Sequence, residues 1–372
     1  MPKPPRRDRI VMVGTHHDTK GGIASVVNVY RAHGLFERWP IDYVPSHADG
    51  SALHKLAVLA RGWVRYVGLL VRRPALVHIH LSSRASFWRK LLFAGPAWLR
   101  GVPYVVHLHG SEFATFYEQE CSRPAKAAVR WMFDHAAAVL TLSRNWQAWV
   151  RGISRNERVL LLFNPALVRA DAGASRPSTA APSILFLGRL GRRKGVYELL
   201  EAAARLRAQG LDFVLRLGGD GEVERVRQLA AEKGLGDMVQ LLGWVGGAAK
   251  DAALDSAHIY VLPSFHEGLP MSILEAMAAG LPIVSTQVGG IPDAVRDGVD
   301  GFLIEAGDVG ALADRLERLI ASDALRRSQG RSARDRVAAT FSADAVIPAL
   351  EDLYRSLGAT PRGGAPAGAG GG

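Results

Sequence analysis

Glu267 and Glu275, with seven residues between them in FHEGLPMSILEAMAAGLPIVS, are the side chains whose type and spacing point most directly to chemistry. The run HIYVLPS before them reads as a buried strand, and MSILEAMAAG as a short helix stopped by Gly280 and Pro282. A strand-to-helix turn of this kind opens on the crevice where an open α/β sheet takes its ligands. It aims the free N–H groups and positive dipole end of the helix outward, which suits a diphosphate. Glu275, inside the helix, can accept from two sugar hydroxyls while Glu267 reaches in from the loop, so the pair could hold both ends of a nucleotide sugar. The plainer reading of the spacing alone is two acids that favour a helix start.

A second cluster, GRLGRRKG at residues 188–195, sits at the first strand-to-helix turn of the second half. Arg189 and Lys194 there could neutralise a diphosphate leaving group without a metal, or form a merely solvated basic turn. In THHDTKGGIAS, Gly21 and Gly22 let the backbone approach a phosphate at a helix start, though a Gly pair is as often a plain turn. VVHLHGSEF places His107 and His109 at a strand end, where His109 can donate to a sugar hydroxyl or serve a structural role. LRLGGDGE is not GxGxxG, which argues against a dehydrogenase.

Positioning these residues requires alternating strands and helices. Short continuous apolar runs occur at RIVMVGT, IDYVPS, ALVHIHL, PYVVHLHG, AVLTLS and VLLLFN, then at SILFLGRL, DFVLRLGGDG, MVQLLGWV, HIYVLPS and PIVSTQ, with helical stretches between them. Such runs suit parallel strands covered on both faces. The expected fold class is α/β, with two doubly wound Rossmann-like domains at 1–170 and 184–341. An Ala/Ser/Pro-rich linker is expected at 171–183 and a disordered Gly-rich tail at 359–372.

The chain of 372 residues carries a net charge of +11, and the excess is one-sided. Residues 1–165 balance at +13 and the remainder at −2, with nine cations and no acid between Ser51 and Arg100. Within that stretch LHKLAVLARGWVRYVGLLVRR reads as a helix with Leu56, Leu59, Trp63, Val67 and Leu70 on one line and Arg61, Arg65, Arg72 and Arg73 off it. SFWRKLLFAGPAWLR adds Trp88 and Trp98 beside Arg89 and Lys90. Basic amphipathic helices with tryptophans suit an anionic membrane surface, the alternative being helices packed on the sheet with solvated arginines. No nucleic-acid motif accompanies the charge. Cys121 is the only cysteine, so no internal disulfide can form, and no apolar run is long enough to span a bilayer.

Together the motifs resemble family 4 of the retaining glycosyltransferases, which have the GT-B fold of two facing Rossmann-like domains with a cleft between them. The resemblance runs from VGTHHDTKGGIASVV through HLHGSEF and GRLGRRKG to HEGLPMSILEAMAAGLPIVSTQVGGIPDAVRDGVDGFL. It implies that Glu275 binds the nucleotide ribose, Glu267 lies against the transferred sugar, and Arg189 and Lys194 bind the diphosphate. It makes His109 the cleft histidine and Gly21 and Gly22 the glycine loop; Gly268, Leu269 and Pro270 join the donor site, with base contacts near Gly243. The helix at 342–358 is expected to cross back to the first domain. Two departures stand out: Glu112 where many members have Asp, and Asp293 at the acidic place of the GGxxE turn.

The resemblance further implies transfer of a hexosyl unit from a UDP- or GDP-sugar with retained configuration, no cofactor and no metal, there being no DxD motif. Enzymes of this kind build exopolysaccharide or lipopolysaccharide on polyprenyl diphosphate-linked saccharides, or act on phosphoinositol lipids. The expected partners are a nucleotide-sugar donor, a lipid-linked acceptor and an anionic membrane, with no nucleic acid, and the expected place is peripheral on the cytoplasmic face of the membrane. A soluble acceptor, or a non-catalytic GT-B binding protein, are the alternatives.

Overall fold

In the computed structural model, which describes residues 8–169 and 181–363, the chain forms two compact units. One runs through Pro165 and resumes at Ala343; the other is Ala166–Ser342. The first holds a six-stranded sheet of β1 (Ile10–Gly14), β2 (Ile41–Pro45), β3 (Leu76–Leu81), β4 (Tyr104–Leu108), β5 (Ala138–Thr141) and β6 (Val159–Leu161). The second holds β7 (Ser183–Leu187), β8 (Val214–Gly218), β9 (Val239–Gly243), β10 (Ile259–Leu262), β11 (Ile283–Thr286) and β12 (Gly301–Ile304). Every pairing is parallel, in the orders 2-1-3-4-5-6 and 12-11-10-7-8-9. The second order is that of a doubly wound dinucleotide-binding sheet, with its direction reversing between β7 and β10. The edge strand β12 is the one that the apolar runs did not reveal: GFLI follows a loop so short on apolar residues that it reads as part of a turn.

The two faces of the first sheet differ. Val77, Ile79 and Leu81 point to one face, where they pack with Tyr66, Phe87 and Phe93 from the helices Ala52–Val71 and Ala85–Leu99. Residues alternate along a strand, so His78 and His80 must point to the other face. The register pairs His80 with His107 on the neighbouring strand. Tyr30 of helix Gly22–Ala32 and Tyr354 of the return helix Ala343–Ser356 cover this second face.

Four boundaries depart from the expectation. Ser183, counted in the linker, is the first residue of β7, and residues 171–180 lie outside the described residues. Ala166–Arg169 group with the second unit, and the return helix begins at Ala343, with Ser342 still in the second unit. The start of the tail is ordered: Ala359 is buried, Thr360 donates to Asp8, and the Arg362 N–H donates to the Arg38 carbonyl at 2.7 Å. Residues 364–372 lie outside the described residues.

Candidate active site

Beyond the C-terminal ends of β7 and β10, two loops are stitched together. Gly195 sits at φ +70, where a Cβ would fall 1.9 Å from the Pro263 carbonyl oxygen, so only glycine lets the β7 loop lie so close to the β10 loop. The Phe265 N–H donates to the Arg193 carbonyl at 2.9 Å across the same seam. Lys194 is thereby brought to Glu267: its Nζ donates to Oε1 at 2.5 Å, and the Ser264 hydroxyl donates to the same oxygen at 2.7 Å. The carboxylate is only 6% exposed and the ammonium 14%, so water screens this pair little. A second glycine holds the loop from behind: Gly289, at φ +59, would place a Cβ 1.9 Å from the Glu267 carbonyl oxygen, and Gly290 N–H donates to the Gly268 carbonyl.

Glu275 lies in the helix Met271–Ala278, which opens directly after the buried Gly268, Leu269 and Pro270. Its Oε1 accepts from Lys250 Nζ at 2.6 Å. Burial pushes the Glu275 carboxyl up from its ordinary value, and the charge and hydrogen bond of Lys250 pull it back. The buried phenol of Tyr260 feels both glutamates: it donates to the Leu187 carbonyl at 3.2 Å, burial raises its pKa, and Glu275 and Glu267 both add to that rise. Arg189, directly after β7, is exposed and forms no ion pair among the described residues. Gly243 ends β9 at φ +66, exposed beside the half-exposed Trp244. The second unit therefore gathers Arg189, Lys194, Glu267 and Glu275 around one strand reversal. Lys250, Ser264 and Tyr260 were missed by the sequence reading, since no local pattern marks a residue whose partner is far along the chain.

The first unit holds the remaining expected site residues. Gly21 and Gly22 follow β1 and are exposed, with nothing within 4 Å of where a Cβ would stand. His109 follows β4 and ends a ladder of four stacked imidazoles. His80 Nδ1 lies 2.8 Å from His109 Nε2, His78 Nε2 lies 3.2 Å from His107 Nδ1, and His78 Nδ1 lies 2.6 Å from the Tyr354 hydroxyl. Burial pushes His78 and His109 down to about 3 and holds His80 and His107 well below the ordinary imidazole range, so all four rings are neutral near pH 7. His78, His80 and His107 offer nitrogens within 4.8 Å of one another, but their rings stack with interplanar angles of 15° to 29°. Lone pairs in near-parallel planes do not converge on one ion as tetrahedral ligation demands. Glu112, the departure noted above, pairs with Arg84 at 3.1 Å.

The basic helices divide differently from the expectation. Lys90 is no surface cation: it is buried, donating to the Gly14 carbonyl at 3.1 Å and to Ser46, and burial lowers its pKa far below that of a free amine. Arg89 is half-buried, whereas Arg61, Arg65, Arg72 and Arg73 are exposed. Of the expected apolar line, Leu59, Trp63 and Leu70 pack inward but Leu56 and Val67 face out. They join Leu53, Val64 and Val71 in an exposed stripe along the helix Ala52–Val71, and Trp88, Leu92 and Leu99 are exposed on the next helix. A cavity of about 510 Å³ lies between this helix and the loops after β1 and β2, lined among others by His16, Thr19, Asp49, His54, Arg61 and Arg65.

Two parallel α/β units with paired carboxylates and cations at a strand reversal define a glycosyltransferase of the GT-B fold, and comparison bears this out. Residues 7–165 match the glycosyl transferase 4-like domain and residues 171–336 match glycosyl transferases group 1. The chain is 30% identical to the alpha-D-kanosaminyltransferase of Streptomyces kanamyceticus, over 86% of this chain and 88% of that one. It is 36% identical to WcaL of Salmonella typhimurium, described as a colanic acid biosynthesis glycosyltransferase, over 47% and 45% of the two chains. Its fold is similar to that of Anabaena HepE, solved with UDP-glucose, with a TM-score of 0.72 at 18% identity, covering 94% of this chain and 100% of that one. The chain belongs to the group 1 glycosyltransferase family.

Proposed function

We propose that this protein is a retaining, metal-independent hexosyltransferase that moves a sugar from a UDP- or GDP-sugar to a hydroxyl of a lipid-linked saccharide in cell-surface polysaccharide synthesis. The observation that carries the donor half is the Lys194–Glu267 pair at the strand reversal, with Arg189, exposed and in no ion pair among the described residues, in the same loop after β7. Arg189 and two N–H groups of Lys194 supply charge-assisted donors to a diphosphate. Glu275 accepts from the ribose hydroxyls, Glu267 lies against the transferred sugar, and the exposed backbone at Gly243 borders the base. In the transfer, the bond from the anomeric carbon to the diphosphate oxygen breaks, and the acceptor oxygen bonds that carbon on the same face. The acceptor's hydroxyl proton passes to the departing phosphate oxygen.

The acceptor half rests on the first unit. The exposed stripe of Leu53, Leu56, Val64, Val67 and Val71 gives a bilayer apolar side chains to take up, and Arg61, Arg65, Arg72 and Arg73 flank it with positive charge. No helix among the described residues is long and apolar enough to cross a membrane, consistent with a peripheral attachment, which we place on the cytoplasmic face. The cavity containing Arg61 and Arg65 could receive the phosphorylated head of such an acceptor. A soluble acceptor is the second reading, favoured by the 30% identity, over 86% of this chain and 88% of that one, to the 2-deoxystreptamine glucosyltransferase of Streptomyces kanamyceticus, whose name gives a small polar acceptor.

Calorimetry with UDP, GDP and ADP, without metal, tests the donor site: one nucleotide should bind, and Glu275→Ala and Lys194→Ala should weaken it. Binding of none of the three would remove the donor reading. Co-sedimentation with vesicles of phosphatidylglycerol at low salt tests the membrane half. Loss of binding in the double variant Leu56→Asp/Val64→Asp is expected, and a wild type that stays in the supernatant would leave the soluble-acceptor reading.

A further inference from the structure

The ladder behind His109 does more than fill the core. His109 is the only one of the four imidazoles that is not fully covered, and its Nε2 is committed to His80 Nδ1 at 2.8 Å. One of these two nitrogens must carry the proton and the other must be bare, since both rings are neutral. The far nitrogen of His80 decides which. His80 Nε2 is buried and has no hydrogen-bond partner among the described residues. Were the His80 proton on Nε2, a buried N–H would be orphaned, which is rare in native structures and rarer than an acceptor left with a free lone pair. With the proton on Nδ1, the orphan is only a lone pair, and His80 donates to His109.

We infer that His80 is a positioning residue that holds His109 as the Nδ1–H tautomer, so that His109 presents a hydrogen-bond donor, not an acceptor, to a sugar hydroxyl. The use made of that N–H rests on the glycosyltransferase reading, whereas the tautomer itself does not. Nδ1 of His109 makes no hydrogen bond to the described residues, so it is the nitrogen left for a ligand. Because His109 stays neutral well below pH 6, the donor is available across the physiological range without a proton being taken up or lost.

The direct test is long-range ¹H–¹⁵N correlation spectroscopy of the histidine rings in the full-length protein without nucleotide, with His109 assigned by its absence in His109→Gln. The expected spectrum has the His109 proton on Nδ1, and a proton on Nε2 would overturn the assignment whatever the enzyme does. Kinetics test the consequence. His80→Asn keeps an N–H close to the position of Nδ1 and should retain kcat/KM within about threefold. His80→Leu, which fills the apolar site but cannot donate, should lower kcat about tenfold or more while leaving nucleotide affinity and thermal stability near the wild type. If both variants keep full activity, His80 is only packing. If UDP, GDP and ADP all fail to bind, the functional reading fails while the tautomer stands or falls on the spectrum alone.

Discussion

Two lysines stand at the two strand reversals of this molecule, and their fates are opposite. Lys90 lies under the loop after β1, sealed from water, its amine held by the Gly14 carbonyl and Ser46 and in no ion pair among the described residues. Lys194 lies in the loop after β7, partly exposed and held by the carboxylate of Glu267. An amine bonded to neutral oxygens in a dry site favours its uncharged form and belongs to the architecture. A lysine partnered by a carboxylate at a crevice has N–H groups left to turn to an incoming phosphate. The contrast extends to the surroundings: the first unit lines its sheet with neutral histidines, and the second gathers paired charges.

The contrast breaks most visibly at Lys194. Lys194→Met should lower kcat/KM by about 100- to 1,000-fold, the loss seen when one fixed donor to a developing charge is removed, and steady-state kinetics with the nucleotide sugar would reveal it. Gly289→Ala should cost about 2 to 3 kcal/mol in denaturant unfolding and weaken nucleotide binding, because the new Cβ at positive φ collides with the Glu267 carbonyl. Retained binding would mean that the Gly289 turn does not set the position of Glu267.

Acid should distinguish the two units. His78 has its pKa depressed to about 3, so the unfolded chain binds the proton first and stability is lost as pH falls from about 6.5 towards 3. At pH 5 a ring of this kind costs about 2 kcal/mol relative to pH 7, and the other buried histidines act in the same direction. Hydrogen exchange at pH 5 should show the first unit opening before the second; equal protection would remove the contrast. Lys90→Met should be neutral or stabilising by up to about 2 kcal/mol, since the Gly14 carbonyl keeps the Ser46 backbone and hydroxyl donors and a buried amine is replaced by an apolar chain. Its nucleotide affinity should not change. The smallest effect is expected for Lys250→Ala: with the opposing charge gone, the Glu275 carboxyl rises further, so nucleotide binding should weaken about threefold at pH 7.5 and more as pH falls.

The two strand-to-helix turns of the candidate donor site were legible in the local sequence. GRLGRRKG and FHEGLPMSILEAMAAG each carry a strand end, a glycine turn and a helix start, and such signals are local. That Lys194 reaches Glu267 is not local, because the two are brought together by parallel strands adjacent only in the folded sheet. The basic helices show the same limit. Their charge could be counted, but Lys90 and Arg89 follow each other along the chain and differ in burial, since a helix turns 100° between neighbours and one of them meets the sheet.

The amino-acid order by itself determined the alternation of buried strands and helices, the two doubly wound units, and the placing of glutamates and cations at strand ends. These follow from periodicity and from the stereochemistry of glycine and proline, which act over a few residues. Only the tertiary structure decided which lysine is sealed in and which is paired, which apolar stripe stays outside, and that four histidines from two strands stack into one neutral ladder ending at His109. Those outcomes depend on strand register and on the helices covering each face, and so on contacts between residues far apart in the chain.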